Sequence, residues 1–439
     1  MQFEFAAPSA LDTDNRSANS ARLLNCYREP VGDGAVWVKS LPGMTTFAST
    51  AKIFCRAMAE IEDKIYLVQG GTLFRISTAG VAVTLGTVVD SENTSISGNN
   101  GKVTVVAGGL YYVWDGTTLS QPTAGAFSAF GDVTFYGQLT ILTELGGRRV
   151  QWSAVADPTD LDGLDFATTE SRDDKNLRVL PVGAALWFFK ETSIEPWYQN
   201  GTGISPVPGG TIDRGLKSRN LLTRIPGGAF FIADDGVAYL ASGPLQRASN
   251  AAVETSIAQD DAVRCFYFED EGHKFCAIIF SDRPAWVYDI ATGEWCERGQ
   301  GNMLGPWDAR ACVKSLGTFY VGTEAGIVAT LGRNNQDLGE ELIRRMVSRT
   351  VFNEGKEFNL PKLQVQARVG WFDTEPQIQM RMSKDFGQTW HVNRQQGLGK
   401  RGEFQTRNIF RRLGQYEQAT MELTLSDPVD ININAVVFT

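Results

Sequence analysis

KVTVVAGGLYYVWDGTTL, Lys102 to Leu119, reads as three short β-rich runs separated by two turns. Gly108-Gly109 joins the first two runs and Asp115-Gly116 joins the second to the third. Turns built on Gly or Asp-Gly suit tight hairpins because their central residues need positive φ. The same layout recurs on either side, in IYLVQGGTLFRIS from Ile65, LWFFKETSIEPWY from Leu186, FFIADDGVAYLAS from Phe230 and FYVGTEAGIVATL from Phe319. From Ile65 through Tyr111 to Phe319 the steps are 46, 75, 44 and 89 residues, and the two wide gaps each hold a further hairpin. A step near 45 residues is the length of one four-stranded propeller blade. Hairpin-bearing units lie near residues 53–77, 103–121, 133–154, 178–198, 220–242, 264–298 and 310–331, which predicts a six- or seven-bladed β-propeller.

Outside this periodic region the pattern changes. Residues 1–50 run from a polar, Ser/Asn-rich start to VWVKS and a turn at Pro42-Gly43, and read as a segment pinned against another domain. LGEELIRRMVSRT, 338–350, spaces Leu338, Leu342, Met346 and Val347 as a short amphipathic helix would. FNLPKLQVQARVG, PQIQMRMS, QATMELTLS and DININAVVF then return to strand patterns. The expected architecture is all-β: a propeller over 51–335 and a β-sandwich-like platform over 336–439, completed by the N-terminal segment 1–50.

The 439 residues are 43% hydrophobic and 21% charged, with 45 glycines, an ordinary composition with many tight turns. A net charge of −9 argues against a general nucleic-acid binder. The charge is uneven: residues 340–439 carry 14 basic and 12 acidic side chains, a net of +2, which leaves −11 for residues 1–339. Residues 381–412 hold eight basic side chains against Asp385 and Glu403, either a solvated face or a docking surface for an acidic partner. The first residues lack a basic and apolar leader pattern, and no apolar run is long enough for a membrane span.

Little of the chain reads as chemistry. The two histidines, His273 and His391, have no Ser or Cys partner in a recognisable motif, and the sequence has no P-loop, GxGxxG or HExxH. Six cysteines show no metal spacing. Cys265 and Cys276 are symmetric about the turn at Glu269–Gly272, so they are expected to face one another across a hairpin, as free thiols or as a strained disulfide. DPTDLDGLDF, 157–166, loosely resembles a calcium loop but lacks its terminal Glu, and reads better as turn architecture. No metal or other cofactor is called for. SKDFGQTW is similar to the Asp-box of sialidases: Ser383 and Asp385 hold turn backbone, Gly387 supplies positive φ, and Thr389 and Trp390 complete the hairpin. It keeps a glycan-binding or glycan-hydrolysing propeller open as an alternative function.

Three stretches together resemble the packaged-DNA-stabilisation, or tail-hub and nozzle, proteins of short-tailed phages. The first is RSANSARLLNCYRE (16–29) with SLPGMTTFA (40–48). The second is VQWSAVADPTDLDGLDFATTES, LWFFKETSIEPWYQNG, TIDRGLKSRN and FFIADDGVAYLA in that order. The third is QMRMSKDFGQTW, then GKRGEFQTRNIFRRLGQ and LSDPV. The resemblance implies a structural virion protein, made in the host cytoplasm and placed in the virion tail. It implies a homohexameric ring below the portal-adaptor that continues the DNA channel and helps retain the genome. Tail fibres or spikes and a tail needle are further partners it suggests, although no long insertion for docking fibres stands out. On this reading Arg16, Asn19, Asn25, Arg407, Arg411 and Arg412 are candidates for the assembly interface. Arg214 is a candidate to bridge to the acidic loop of Asp160, Asp162 and Asp165.

Overall fold

The computed structural model describes residues 2–3, 7–10, 20–32, 36–122 and 125–438. Five separate four-stranded antiparallel sheets follow one another along the chain: Cys55–Ile61 to Ala82–Thr87, Thr94–Asn99 to Leu119–Ser120, Phe130–Tyr136 to Phe166–Thr168, Asn176–Val182 to Gly203–Pro206, and Leu222–Ile225 to Leu245–Arg247. A sixth unit runs from Ala262–Asp270 to Glu294–Arg298. The seventh has three strands of its own, from Ala311–Ser315 to Ile327–Gly332. These seven units are the blades of a propeller. The first strands of blades 7 and 1 pack together, as do those of 1 and 2, 2 and 3, 3 and 4, 5 and 6, and 6 and 7. Blades 4 and 5 share the core of Phe189, Leu222 and Phe231.

The turns work as the glycine pattern requires. Gly108 and Gly109 have φ of 56° and 88°, and the strands they join pair in register from Ala107↔Leu110 to Val103↔Trp114. Between blades the cores are apolar: Tyr66, Val68 and Leu73 of blade 1 meet Val103, Val105 and Tyr112 of blade 2. Each such side chain contributes about 1.5–3 kcal/mol on burial.

The ring is closed by the start of the chain. Gly43–Ser49 pairs antiparallel with Ile327–Gly332, from Gly43↔Gly332 to Ser49↔Ile327, and so becomes the fourth strand of blade 7. These residues, read from the sequence as part of the N-terminal segment, are therefore blade. A strand supplied from the opposite end of the chain ties the ring shut and leaves blade 7 no open edge there.

The C-terminal region forms the sandwich. One sheet has the order Cys26–Pro30, Val36–Ser40, Ile433–Phe438, Phe358–Ala367, Asn408–Tyr416. The other runs Arg22–Leu24, Arg344–Val347, Gln418–Leu425, Gln377–Ser383, His391–Gly397. Arg22–Leu24 also pairs in parallel with Glu294–Arg298 at Leu24↔Glu297, so the second sheet is continuous with blade 6. One core crosses the joint, with Leu23 and Met44 of the N-terminal segment, Phe268 and Trp307 of the propeller side, and Phe410 and Leu423 of the sandwich.

Two sequence expectations fail here, and one element was not foreseen. The predicted helix over 338–350 is extended: Leu338 has φ 53° and donates its N–H to the Met44 carbonyl at 2.7 Å, and Arg344–Val347 is a strand between two others. Strand pairing on both sides overrides the helical spacing. The single α-helix among the described residues is Ala251–Gln259, N-capped by Asn250, whose side chain accepts the Val253 N–H at 3.0 Å. It packs Ala252, Val253 and Ile257 into the core between blades 5 and 6. Finally, Cys265 and Cys276 are not opposite one another. The hairpin register pairs Cys265 with Ile278 and Cys276 with Tyr267, and all six thiols are free. Burial raises their pKa, that of Cys55 to about 11 and that of Cys26 to about 12.

Candidate assembly surface

His391–Gly397 and Asn408–Tyr416 are the outermost strands of their sheets, and they lie against one another along one side of the sandwich. Arg394 stands on the first, Arg411 and Arg412 on the second, and Arg407 immediately precedes it. All four are exposed, and none forms an ion pair or a side-chain hydrogen bond among the described residues. Lys362 sits directly opposite Arg411 in the strand pairing, which adds a like charge. Charged side chains also keep an edge strand from pairing with other chains. What marks this edge is that four unpaired arginines and Lys362 gather on and beside two adjoining strands.

Nearby loops of the same domain carry an aromatic pair that the sequence reading missed. Trp371 and Phe404 are 58% and 56% exposed, meet edge-on with ring centres 5.6 Å apart, and Arg368 lies 4.9 Å over the Trp371 ring. Exposed aromatics beside arginine are the composition of interaction hot spots. No sequence pattern distinguished Trp371 from the buried tryptophans.

The remaining candidates are used inside the chain. Asn25 is buried with φ 58°: its amide donates to the Ile343 carbonyl at 2.7 Å, and its side-chain oxygen accepts from Arg298 at 3.1 Å and Gly299 N–H at 2.9 Å. It locks the joint and offers no surface to a partner. Arg16 and Asn19 lie outside the described residues. Arg214 does not reach Asp160, Asp162 or Asp165. Its guanidinium is 3.4 Å from Asp235 and 3.3 Å from the Tyr239 hydroxyl. Gly215 beside it has no room for a Cβ against the Glu191 carbonyl, and its N–H donates to Asp234 at 3.0 Å. The Arg-Gly and Asp-Asp-Gly-Val motifs thus bond to each other.

The acidic loop is turn architecture. Asp157 pairs with Lys102 at 2.7 Å and accepts from Thr159, Asp162 accepts the Leu164 N–H, and the carbonyls of Asp160 and Asp165 accept the N–H groups of Ala154 and Trp152. In the SKDFGQTW hairpin, Ser383 Oγ donates to Asp385 at 2.7 Å and accepts the Gly387 N–H at 2.8 Å. Thr389 donates to Asp385 through both its N–H and its hydroxyl. Partial burial works against the Asp385 charge, but the Thr389 and Ser383 hydrogen bonds prevail and hold its carboxyl down at about 2. Trp390 lies under the Arg381 guanidinium at 5.3 Å. His273 is buried between Asp289 at 2.7 Å and Glu29 at 2.9 Å, so both ring nitrogens are engaged by carboxylates and neither is available to activate a hydroxyl.

At the propeller's centre the first strands of the blades line a cavity of about 150 Å³. Duplex DNA, whose major groove alone is about 12 Å wide, cannot thread a space of that size.

The molecule is a propeller joined by a shared core to a sandwich, with its sequence motifs used in turns and a cluster of unpaired arginines on one edge. Comparison with known families places the class. Residues 20–334 match the bacteriophage P22 Gp10 β-propeller and residues 343–436 match the bacteriophage P22 Gp10 β-sandwich. The chain belongs to the bacteriophage P22 Gp10 family, the packaged-DNA-stabilisation proteins, and is a phage structural protein. No curated protein sequence matches it. Among solved structures, the computationally designed Ika8 protein aligns at TM-score 0.43 and 11% identity, covering 66% of this chain and 99% of that one. BBS1N in complex with ARL6DN aligns at 0.43 and 12%, covering 72% and 98%. BamB from Moraxella catarrhalis aligns at 0.40 and 11%, covering 75% and 97%. Likenesses this distant carry no functional argument.

Proposed function

We propose that this chain is a tail hub, or nozzle, subunit of a short-tailed phage. Six copies form a ring on the tail axis below the portal-adaptor, continue the DNA channel and help hold the packaged genome until ejection. The protein works by shape and multivalent contact, with no catalytic step. The observation that carries this reading is the uncompensated basic edge of the sandwich in a chain whose two domains both match the P22 Gp10 family. A cluster of unpaired guanidinium groups on a rigid sheet edge suits docking on an acidic surface, of the adaptor or of a neighbouring copy. Residues 1–339, which hold the propeller, carry a net charge of −11. A channel walled by the outer faces of several such propellers repels phosphate and lets DNA slide without adhering.

The test is charge reversal at the edge. Arg411→Glu with Arg412→Glu is expected to leave the isolated chain folded and to abolish incorporation into particles, with infectious titre falling accordingly. Normal titre from phage carrying both substitutions would overturn the assignment of this edge as the docking surface.

A further inference from the structure

The axial cavity has an unusual lining. Its charged residues are Arg56, Arg178, Arg264 and Arg310, contributed by or beside the first strands of blades 1, 4, 6 and 7, and no carboxylate lines it. A fifth arginine, Arg219, stands next to it and bonds back to the same group. Asp132, fully buried, is shared between Arg178 at 2.9 Å and Arg219 at 3.3 Å. Glu92 is shared between Arg56 and Arg264, the latter at 2.7 Å. With Asp90 on Arg56 and Glu324 on Arg310, five guanidinium groups meet four carboxylates, and three of those carboxylates are turned toward solvent.

The cluster is therefore short of negative charge on its inner side. The Nε–H of Arg219 is buried without an acceptor, an omission that ordinarily costs stability. Burial, with the repulsion of Arg178 and Arg264 added, lowers the Arg219 guanidinium to about 10 against the pull of Asp132. Arg264 is shifted downward as well, chiefly by burial. Planar guanidinium forks converging on a small space match the geometry of an oxyanion better than that of any neutral ligand. The cavity has room for one such ion with a few waters.

We infer that the propeller axis is a binding site for a single free oxyanion of the phosphate class, held by the lining arginines Arg56, Arg178, Arg264 and Arg310. The bound ion supplies the missing negative charge and fastens strands from opposite sides of the ring. The inference rests on the propeller interior alone and does not depend on where the chain sits in a particle.

The experiment is isothermal titration calorimetry of the full chain with inorganic phosphate, at ionic strength matched with chloride. Saturable binding of one phosphate per chain is expected, with a melting temperature that rises with phosphate concentration. Arg178→Gln and, separately, Arg56→Gln are expected to weaken binding about tenfold or more, the loss of one charge-assisted hydrogen bond. The surface control Arg411→Gln with Arg412→Gln is expected to bind as the unaltered chain does. Circular dichroism of each variant without phosphate identifies any that fails to fold, and the other interior variant then decides. Absence of saturable binding would overturn the inference, as would folded interior variants that bind as tightly as the unaltered chain.

Discussion

At the propeller's centre, Arg178 and Arg219 close on a fully buried Asp132, and at the joint Arg298 and Asp337 pair at 2.5 Å with both side chains 1% exposed. On the sandwich edge, Arg394, Arg407, Arg411 and Arg412 reach into solvent with no carboxylate partner among the described residues. The same residue type serves two ends. Inside, arginine cross-links segments distant in sequence, and removing its partner leaves a buried charge. Outside, it costs the fold nothing and is free to meet another molecule. The joint shows how far the first use goes: Arg298 also donates to Asn25, to the Gly299 carbonyl and to the Pro42 carbonyl, so one side chain fixes the N-terminal segment, blade 6 and the strand leading to the sandwich.

Substitutions graded along this contrast measure it. The largest loss is expected from Asp337→Asn, which strands the Arg298 charge in the joint. Urea unfolding followed by tryptophan fluorescence should show about 3–5 kcal/mol lost. A loss below 1 kcal/mol would mean that the joint tolerates an unpaired arginine and that the distinction is false.

Ser383→Ala should cost about 1 kcal/mol, because the Gly387 N–H loses its acceptor in the sandwich hairpin. The neighbouring Asp385 adds a pH signature. Its folded pKa, about 2, lies below the ordinary 3.8, so its contribution is full above 3.8 and is lost as pH falls toward 2. Asp385→Asn should flatten the stability of the chain across that window.

His273 has the opposite sign. The hydrogen bond it donates to Asp289, opposed by burial and joined by the bond to Glu29, raises its pKa above 6.5. The charged histidine therefore stabilises the contact between blade 6 and the N-terminal segment fully below 6.5, and the effect fades as pH rises through the folded value. His273→Gln should remove that slope from a melting-temperature series, and an unchanged slope would assign it to another group.

The smallest effect on stability is expected at the edge. Arg411→Glu with Arg412→Glu should leave the melting curve of the isolated chain within about 0.5 kcal/mol of the original, while particle assembly fails.

The blades were legible because each is local: a hairpin, a Gly or Asp-Gly turn and a second hairpin within about 45 residues. The closure of the ring was not. Gly43–Ser49 finds Ile327–Gly332 hundreds of residues away, and Met44, Thr45 and Thr46 carry no mark of that partner. The same holds for the ion pairs: Arg22 with Glu297 and Arg333 with Asp270 are separated by hundreds and tens of residues respectively. The strand at Arg344–Val347 was misread because it is paired on both sides and buries Arg344 among carbonyls, so it shows no alternation. The helix Ala251–Gln259 did leave a signal in Asn250 followed by Glu254, which marks a capped start. Of the site, the basic run was visible in the sequence. That its arginines lack partners, and that Trp371 and Phe404 stand beside one another in solvent, became visible only with the sheets in place.

The most direct measurement is cryo-electron microscopy of the intact particle at side-chain resolution. The account predicts six copies on the tail axis below the portal, with Arg407, Arg411 and Arg412 against carboxylates of an adjoining chain and DNA outside every propeller axis. Copies at the tail periphery, or an axial ring in which those arginines face solvent, would contradict it.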